Sequence, residues 1–245
     1  MIPELLIFGL ITGLVSGFFG VGGGMVLVPM LLISGFVMKE AVAISILQMV
    51  FSSTYGSFLN VKKQLDIVYD GVMLGIGGFI GGLLSYFITS NISNAGLKYL
   101  FLAILVASIL KILQTPAVHN KKQKVPSKGF LILIGSCIGM IAMSIGVGGS
   151  IMLTPILVGF MHYNLKTATS LSLFFVMFSS LAGFISLSSN SQMLYQEGMI
   201  IGGISLFGVY AGVKLKHLTN LVSYKKYILS LYLLILISML YKMYY

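Results

Sequence analysis

The sequence has no arginine, no tryptophan, a single cysteine and only five acidic residues. Charged side chains make up 8% of the 245 residues and hydrophobic ones 58%. A soluble domain is nearer one quarter charged, so this composition excludes an ordinary water-soluble fold. The lone Cys137 cannot form an internal disulfide; it lies in an apolar segment and is expected as a small core residue. His119, His162 and His217 all fall in loop regions and do not cluster, which argues against a metal site. No HExxH, GxSxG or GxxxxGK[ST] string occurs, so neither an intramembrane enzyme nor direct ATP hydrolysis is expected, and no cofactor is implied. The start, MIPELLIF, lacks the basic region of a signal peptide.

What the chain does have is apolar runs, at about 5–33, 41–59, 70–88, 97–113, 129–160, 167–187, 198–213 and 227–241. Several can cross a hydrocarbon core of about 30 Å, which takes about 20 helical residues. The alternation of a membrane barrel is absent, so helices are predicted: an all-α, multi-pass membrane protein. The net charge of +10 comes from 15 lysines in short loops. It reads as membrane topology rather than as a nucleic-acid surface.

Lysine positions choose between two topologies. If all eight apolar runs span, Lys62, Lys63, Lys111, Lys121, Lys122, Lys124, Lys128 and Lys242 lie on one side. The other side then holds Lys39, Lys98, Lys166, Lys214, Lys216, Lys225 and Lys226, and no orientation results. If the segments at about 4–34 and 129–160 instead enter and turn back, only Lys39, Lys98 and Lys242 remain outside. That is the bias of a cytoplasmic face. The charges require only the second segment to return; a duplication argues that the first does the same.

The duplication is visible in GVGGGMVLVP at 20–29 and GVGGSIMLTP at 146–155. At an offset of 126, Gly9 matches Gly135, Gly13 matches Gly139 and Pro29 matches Pro155. At an offset of 127, Lys39 matches Lys166, Ser45 matches Ser172, Ser52-Ser53 match Ser179-Ser180 and Asp70-Gly71 match Glu197-Gly198. The predicted architecture is therefore two repeats, 1–114 and 129–245, joined by a basic cytoplasmic linker at 115–128. Each repeat is a re-entrant, broken helical hairpin plus three transmembrane helices. Three is odd, so the repeats are inverted.

Glycines permit turns of positive φ, and a half-helix starting near Gly24 or Ser150 points unpaired amides and partial positive charge at the break. Gly22, Gly23, Gly24, Gly148, Gly149 and Ser150 are thus candidate anion contacts, with Pro29 and Pro155 at the helix breaks. Close packing alone is the plainer alternative, and it suits Gly9, Gly13, Gly135 and Gly139, and Gly71, Gly75, Gly78 and Gly82. Ser45, Gln48 and Ser52 share one face of the following helix. Ser172, Phe175 and Ser179 are the equivalent face, and Thr154 is a further candidate. These hydroxyls could instead bond their own backbone; the Gln48 amide is harder to satisfy that way. None of the lysines lies well inside a predicted span. Asp70 and Glu197 each open a span, where they complement the helix dipole; a proton-coupling role is the alternative.

The two GxGG[GS]xxxxP motifs, in a chain of this length and segment pattern, resemble the TauE/SafE, or sulfite exporter, family of membrane transporters. The resemblance covers essentially the whole chain. It implies export of small sulfur-containing or organic anions such as sulfite or sulfonates, across a bacterial-type plasma membrane, with a coupling proton or other ion. The motif positions Gly22, Gly23, Gly24, Pro29, Gly148, Gly149 and Pro155 follow the pattern; Ser150 stands where the first copy has glycine. A passive anion channel is the competing reading.

Overall fold

A computed structural model describes residues 2–61, 68–115 and 127–244. These residues form eleven α-helices and no strand. Lys62, Lys63, Asp66, His119, Lys121, Lys122, Lys124 and nearly all of the 115–128 linker lie outside the described residues. The first half runs α1 (Ile2–Phe19), α2 (Gly24–Ile33), α3 (Met38–Val61), α4 (Val68–Leu83), α5 (Ser85–Asn91) and α6 (Asn94–Gln114). The second runs α7 (Lys128–Ser144), α8 (Ser150–Gly159), α9 (Leu165–Ser189), α10 (Tyr195–Leu218) and α11 (Leu221–Tyr244). Six helices are long and apolar enough to cross a membrane, if α4 and α5 count as one segment bent at Leu84. The other four, α1, α2, α7 and α8, are the shorter pieces of the two motif segments. The chain is an all-α integral membrane protein.

Side-chain size decides which helices touch. Gly9, Gly13 and Gly17 of α1 sit against the backbone of Ile201, Ser205 and Val209 of α10, in the same order. The two helices therefore run parallel. Gly135 and Gly139 of α7 sit likewise against Leu74 and Gly78 of α4. Each of these contacts is the other shifted by 126 or 127 residues. Small residues let backbones approach where lipid supplies no hydrophobic drive between helices. Gly71, Gly75 and Gly78 instead receive the rings of Phe174, Phe178 and Phe175.

At the centre α3 and α9 cross antiparallel, with Ser170 near Asn60 and Ile46 near Gly183. The repeat counterparts Ser53 and Ser180 meet at the crossing, with Oγ atoms 3.5 Å apart. The motif segments turn back as hairpins. Glu4 and Phe8 of α1, Ser34 and Phe36 beyond α2, and Glu40 of α3 line one cavity, so the first hairpin opens and closes at the starting end of α3. Lys128 of α7 lies over the Tyr69 ring, and Tyr163 beyond α8 donates to Asp70, so the second opens at the starting end of α4. Each short outer helix ends on left-handed backbone at equivalent positions, Gly35 and His162.

Lipid-facing positions stay apolar: Ile7, Leu10, Ile11 and Leu14 on α1, and Leu233, Leu234 and Ile237 on α11, are exposed. Cys137 corrects its expected place: it is exposed on α7 rather than in the core. His217 lies in the last turn of α10, not in a loop.

Candidate functional site

The chain breaks between α1 and α2 because Gly20, Gly22 and Gly23 take φ of +69, +74 and +89. Gly146, Gly148 and Gly149 break α7 from α8 with φ of +71, +74 and +79. Any L-residue with a Cβ is strained there. Pro29 and Pro155, expected at the breaks, lie within α2 and α8 instead; the glycines alone make the turns.

The two turns meet. Gly22 and Gly148 both face Met49 and Val176, which are repeat counterparts on α3 and α9. Gly20 backs onto the Thr169 carbonyl, and Gly146 onto Val42, its counterpart position. Gly24 faces the Gly146 carbonyl so closely that a Cβ would lie 2.2 Å from the oxygen, which explains glycine there. In α2 the amides of Val26 and Leu27 bond the Gly23 carbonyl at 3.1 and 3.0 Å. In α8 those of Met152 and Leu153 bond Gly149 at 3.1 and 2.8 Å. The amides before them have no intrahelical acceptor, and neither N-cap glycine supplies a side chain.

The polar stripe of α3 is buried against this junction. Ser45, Gln48 and Ser52 are all 0% exposed. Ser52 donates to the Gly22 carbonyl at 2.8 Å, tying the long helix to the turn. The Gln48 amide lies against Gly23, and neither its nitrogen nor its oxygen has a hydrogen-bond partner. The hydroxyls of Ser45 and Ser150 are likewise buried and unpartnered. In the second half Thr154 and Ser172 hydroxyls bond each other at 2.9 Å. Ser179 bonds the Phe175 carbonyl of its own helix at 3.1 Å. Phe175, at the position of Gln48, packs its ring on Gly149.

No described lysine lies well inside a span, but one in the last turn of α10 is buried, which the sequence alone did not single out. Lys216 of α10 is 1% exposed, and its Nζ donates to Ser170 Oγ at 2.8 Å. The one hydroxyl hydrogen of Ser170 is shared between Asn60 Oδ1 at 3.2 Å and the Lys166 carbonyl of its own helix at 3.1 Å. Proximity in sequence to the exposed Lys214 hid it, although Gly208 and Gly212 mark the α10 face turned inward to α1. Asp70 and Glu197 lie in the first turns of α4 and α10, where a carboxylate complements the helix dipole.

Residues 5–239 match the family profile described as sulfite exporter TauE/SafE. The chain belongs to the TauE/SafE family. It is 27% identical to a probable membrane transporter protein of Methanocaldococcus jannaschii, over 84% of this chain and 80% of that one. It is 24% identical to the probable membrane transporter protein YunE of Bacillus subtilis, over 81% of this chain and 83% of the relative. A probable membrane transporter protein of Haemophilus influenzae is 23% identical, over 88% and 85%. No solved structure matches. As a TauE/SafE member the protein is a multi-pass membrane transporter, not an enzyme, and its substrate is a small molecule.

Proposed function

We propose that this TauE/SafE member is a secondary transporter that carries small sulfur-containing or organic anions, such as sulfite or sulfonates, out across the cell membrane by alternating access. The observation that carries the reading is the meeting of two positive-φ glycine turns beside the buried, unpartnered Gln48 amide. Two helix starts there present amides and partial positive charge toward one region. Buried polar groups without partners are costly, so a site that keeps them holds something else in the working cycle. An anion accepts hydrogen bonds from Gly23–Gly24, Gly149–Ser150, Gln48, Ser45 and Ser150; Ser52, Thr154 and Ser172 hold the frame around it.

The inverted-repeat reading is supported by the antiparallel α3–α9 crossing, with Ser53 and Ser180 face to face, and by hairpins that open at opposite ends. Inversion lets one set of local structures build both gates. The junction residues are closed off from both ends, which favours an occluded carrier over an open pore. Asp70, held by the Tyr163 hydroxyl, and Glu197 are the carboxylates available for proton coupling.

Uptake of radiolabelled sulfite into proteoliposomes tests the reading, with an imposed proton gradient or membrane potential. Accumulation above equilibrium is expected, and purely downhill flux replaces the carrier with a channel. Gly23→Val abolishes flux while the protein still inserts, because a Cβ at Gly23 would lie 2.6 Å from the Gln48 amide. Unchanged flux removes the motif from the site.

A further inference from the structure

We propose that Lys216, Ser170 and Asn60 form a second anion-holding station, between the central glycine turns and the lysine-rich end of the molecule. This rests on the transporter reading above.

A lysine ammonium taken out of water is costly unless a counter-charge meets it. Lys216 is buried, and Ser170 Oγ is its hydrogen-bond partner. The charged group beside it is Lys166, another cation, whose own Nζ donates to the Thr219 carbonyl. No described carboxylate faces it. The ammonium has three hydrogens, of which Ser170 takes one. A buried cation without a counter-charge, in the last turn of a membrane-spanning helix, is a candidate for an ion or substrate route.

The station is linked to the centre by sequence. Ser45, Gln48, Ser52, Gly56 and Asn60 follow one face of α3, at steps of three and four. Asn60 is eight residues beyond Ser52, about 12 Å along the helix. Its Nδ2 donates to the Gly56 carbonyl at 2.8 Å, and its Oδ1 accepts from Ser170, which accepts from Lys216. The polar positions of this track are Ser52 at the turn and Asn60, Ser170 and Lys216 at the far end, with Gly56 between them packed against Leu173 and Val209.

The track is one-sided. The glycine contacts of α1 on α10 and of α7 on α4 repeat at 126 or 127 residues, but this group of residues does not. At the counterparts of Asn60, Ser170 and Lys216 stand Leu187, Ala43 and Thr89. The opposite end has Glu4 and Glu40 around its cavity. Lysines outnumber carboxylates at the end that holds Lys166, Lys214, Lys216, Lys225 and Lys226, whereas Lys39 and Lys98 offset Glu4 and Glu40 at the other, so the station collects an anion at the cytoplasmic mouth before the central site takes it.

The test uses full-length protein in nanodiscs and proteoliposomes, with sulfite, sulfate and sulfoacetate as probes. Lys216→Met should weaken binding of the transported anion about tenfold or more, the scale of a lost hydrogen bond to a charged group. Lys216→Arg should bind within about threefold of wild type, since the charge is kept. Without anion, Lys216→Met should melt at or above the wild-type temperature, because an uncompensated charge has been removed. If Lys216→Met folds poorly, Lys216→Gln replaces it with the same expected loss. Wild-type binding by both neutral variants overturns the station. So does a common loss of melting temperature in Lys216→Met and Asp66→Asn with binding retained, which makes the lysine half of a structural ion pair. If Gln48→Ala and Gly23→Val lose binding while Lys216→Met keeps it, the central site stands and the station falls. The reverse pattern keeps the station and removes the glycine turns. A wild-type protein that binds and carries none of the three anions overturns both.

Discussion

At the scale of single residues, Gln48 separates stability from function. Its amide is buried against Gly23 with both polar atoms unpaired. An unsatisfied buried group costs about 1–3 kcal/mol, so its removal should not weaken the fold. Gln48→Leu is expected to raise the melting temperature of the anion-free protein, and Gln48→Ala to weaken anion binding by about 1–2 kcal/mol. Thermal unfolding with and without sulfite measures both, since at a fixed concentration a tighter ligand raises the melting temperature further. A fall in anion-free stability with no change in binding makes Gln48 a packing residue. Ser179 provides the contrast. It returns its hydroxyl to its own helix, so Ser179→Ala is expected to leave binding unchanged.

At the scale of elements, glycine position decides between packing and propensity. A Cβ at Gly13 would lie 2.1 Å from the Ser205 carbonyl, backbone that cannot move aside alone. Gly13→Ala should push α1 off α10 and destabilise by about 1–3 kcal/mol. Gly203 faces open space, and Gly203→Ala should gain about 0.5–1 kcal/mol through helix propensity. Unfolding of the two variants in the same detergent checks the sign of each. This layer was largely legible in sequence. Runs of apolar residues gave the helices, lysine bias gave the second returning hairpin and the duplication the first, and glycine spacing separated packing faces from turns. The prolines misled: Pro29 and Pro155 are the sixth of ten residues in α2 and α8, which continue through them, and the positive-φ glycines upstream make the turns. Gln48, Ser45 and Ser52 were legible because a polar stripe at helical spacing is conspicuous in apolar sequence. Lys216 and Cys137 were not. Which way a residue near a helix end faces depends on its neighbours in space, and α1 and α4, far away in the chain, decide it for α10 and α7.

At the scale of the whole molecule, both ends of the bundle can be tested. Lys225 Nζ reaches the Thr115 carbonyl, so the end of α6 and the start of α11 share a face. Lys128 and Lys214 are exposed at that face, and Asn190 is exposed beyond α9 at the other. In a Cys137→Ala background, cysteines at Lys128 and Lys214 should resist an impermeant thiol reagent in whole cells, while one at Asn190 should react. Lys216 is unsuited as a reporter because it is buried. Labelling of Lys128 and Lys214 from opposite sides returns the chain to eight plain spans. The pseudo-two-fold crossing carries a stronger consequence for mechanism. If the halves rock about it, displacement is least where the counterparts Ser53 and Ser180 meet, 3.5 Å apart at Oγ, and grows toward the ends of α3 and α9. Asn60 and Ser170, 3.2 Å apart through Oδ1 and Oγ, lie at such an end. A disulfide formed by Ser53→Cys with Ser180→Cys should therefore leave sulfite flux largely intact. One formed by Asn60→Cys with Ser170→Cys should stop flux until a reductant restores it, judged against the reduced double variant so that loss of the two side chains is accounted for. Flux unaffected by both cross-links means that the ends do not separate during transport, and the rocking mechanism is lost with them.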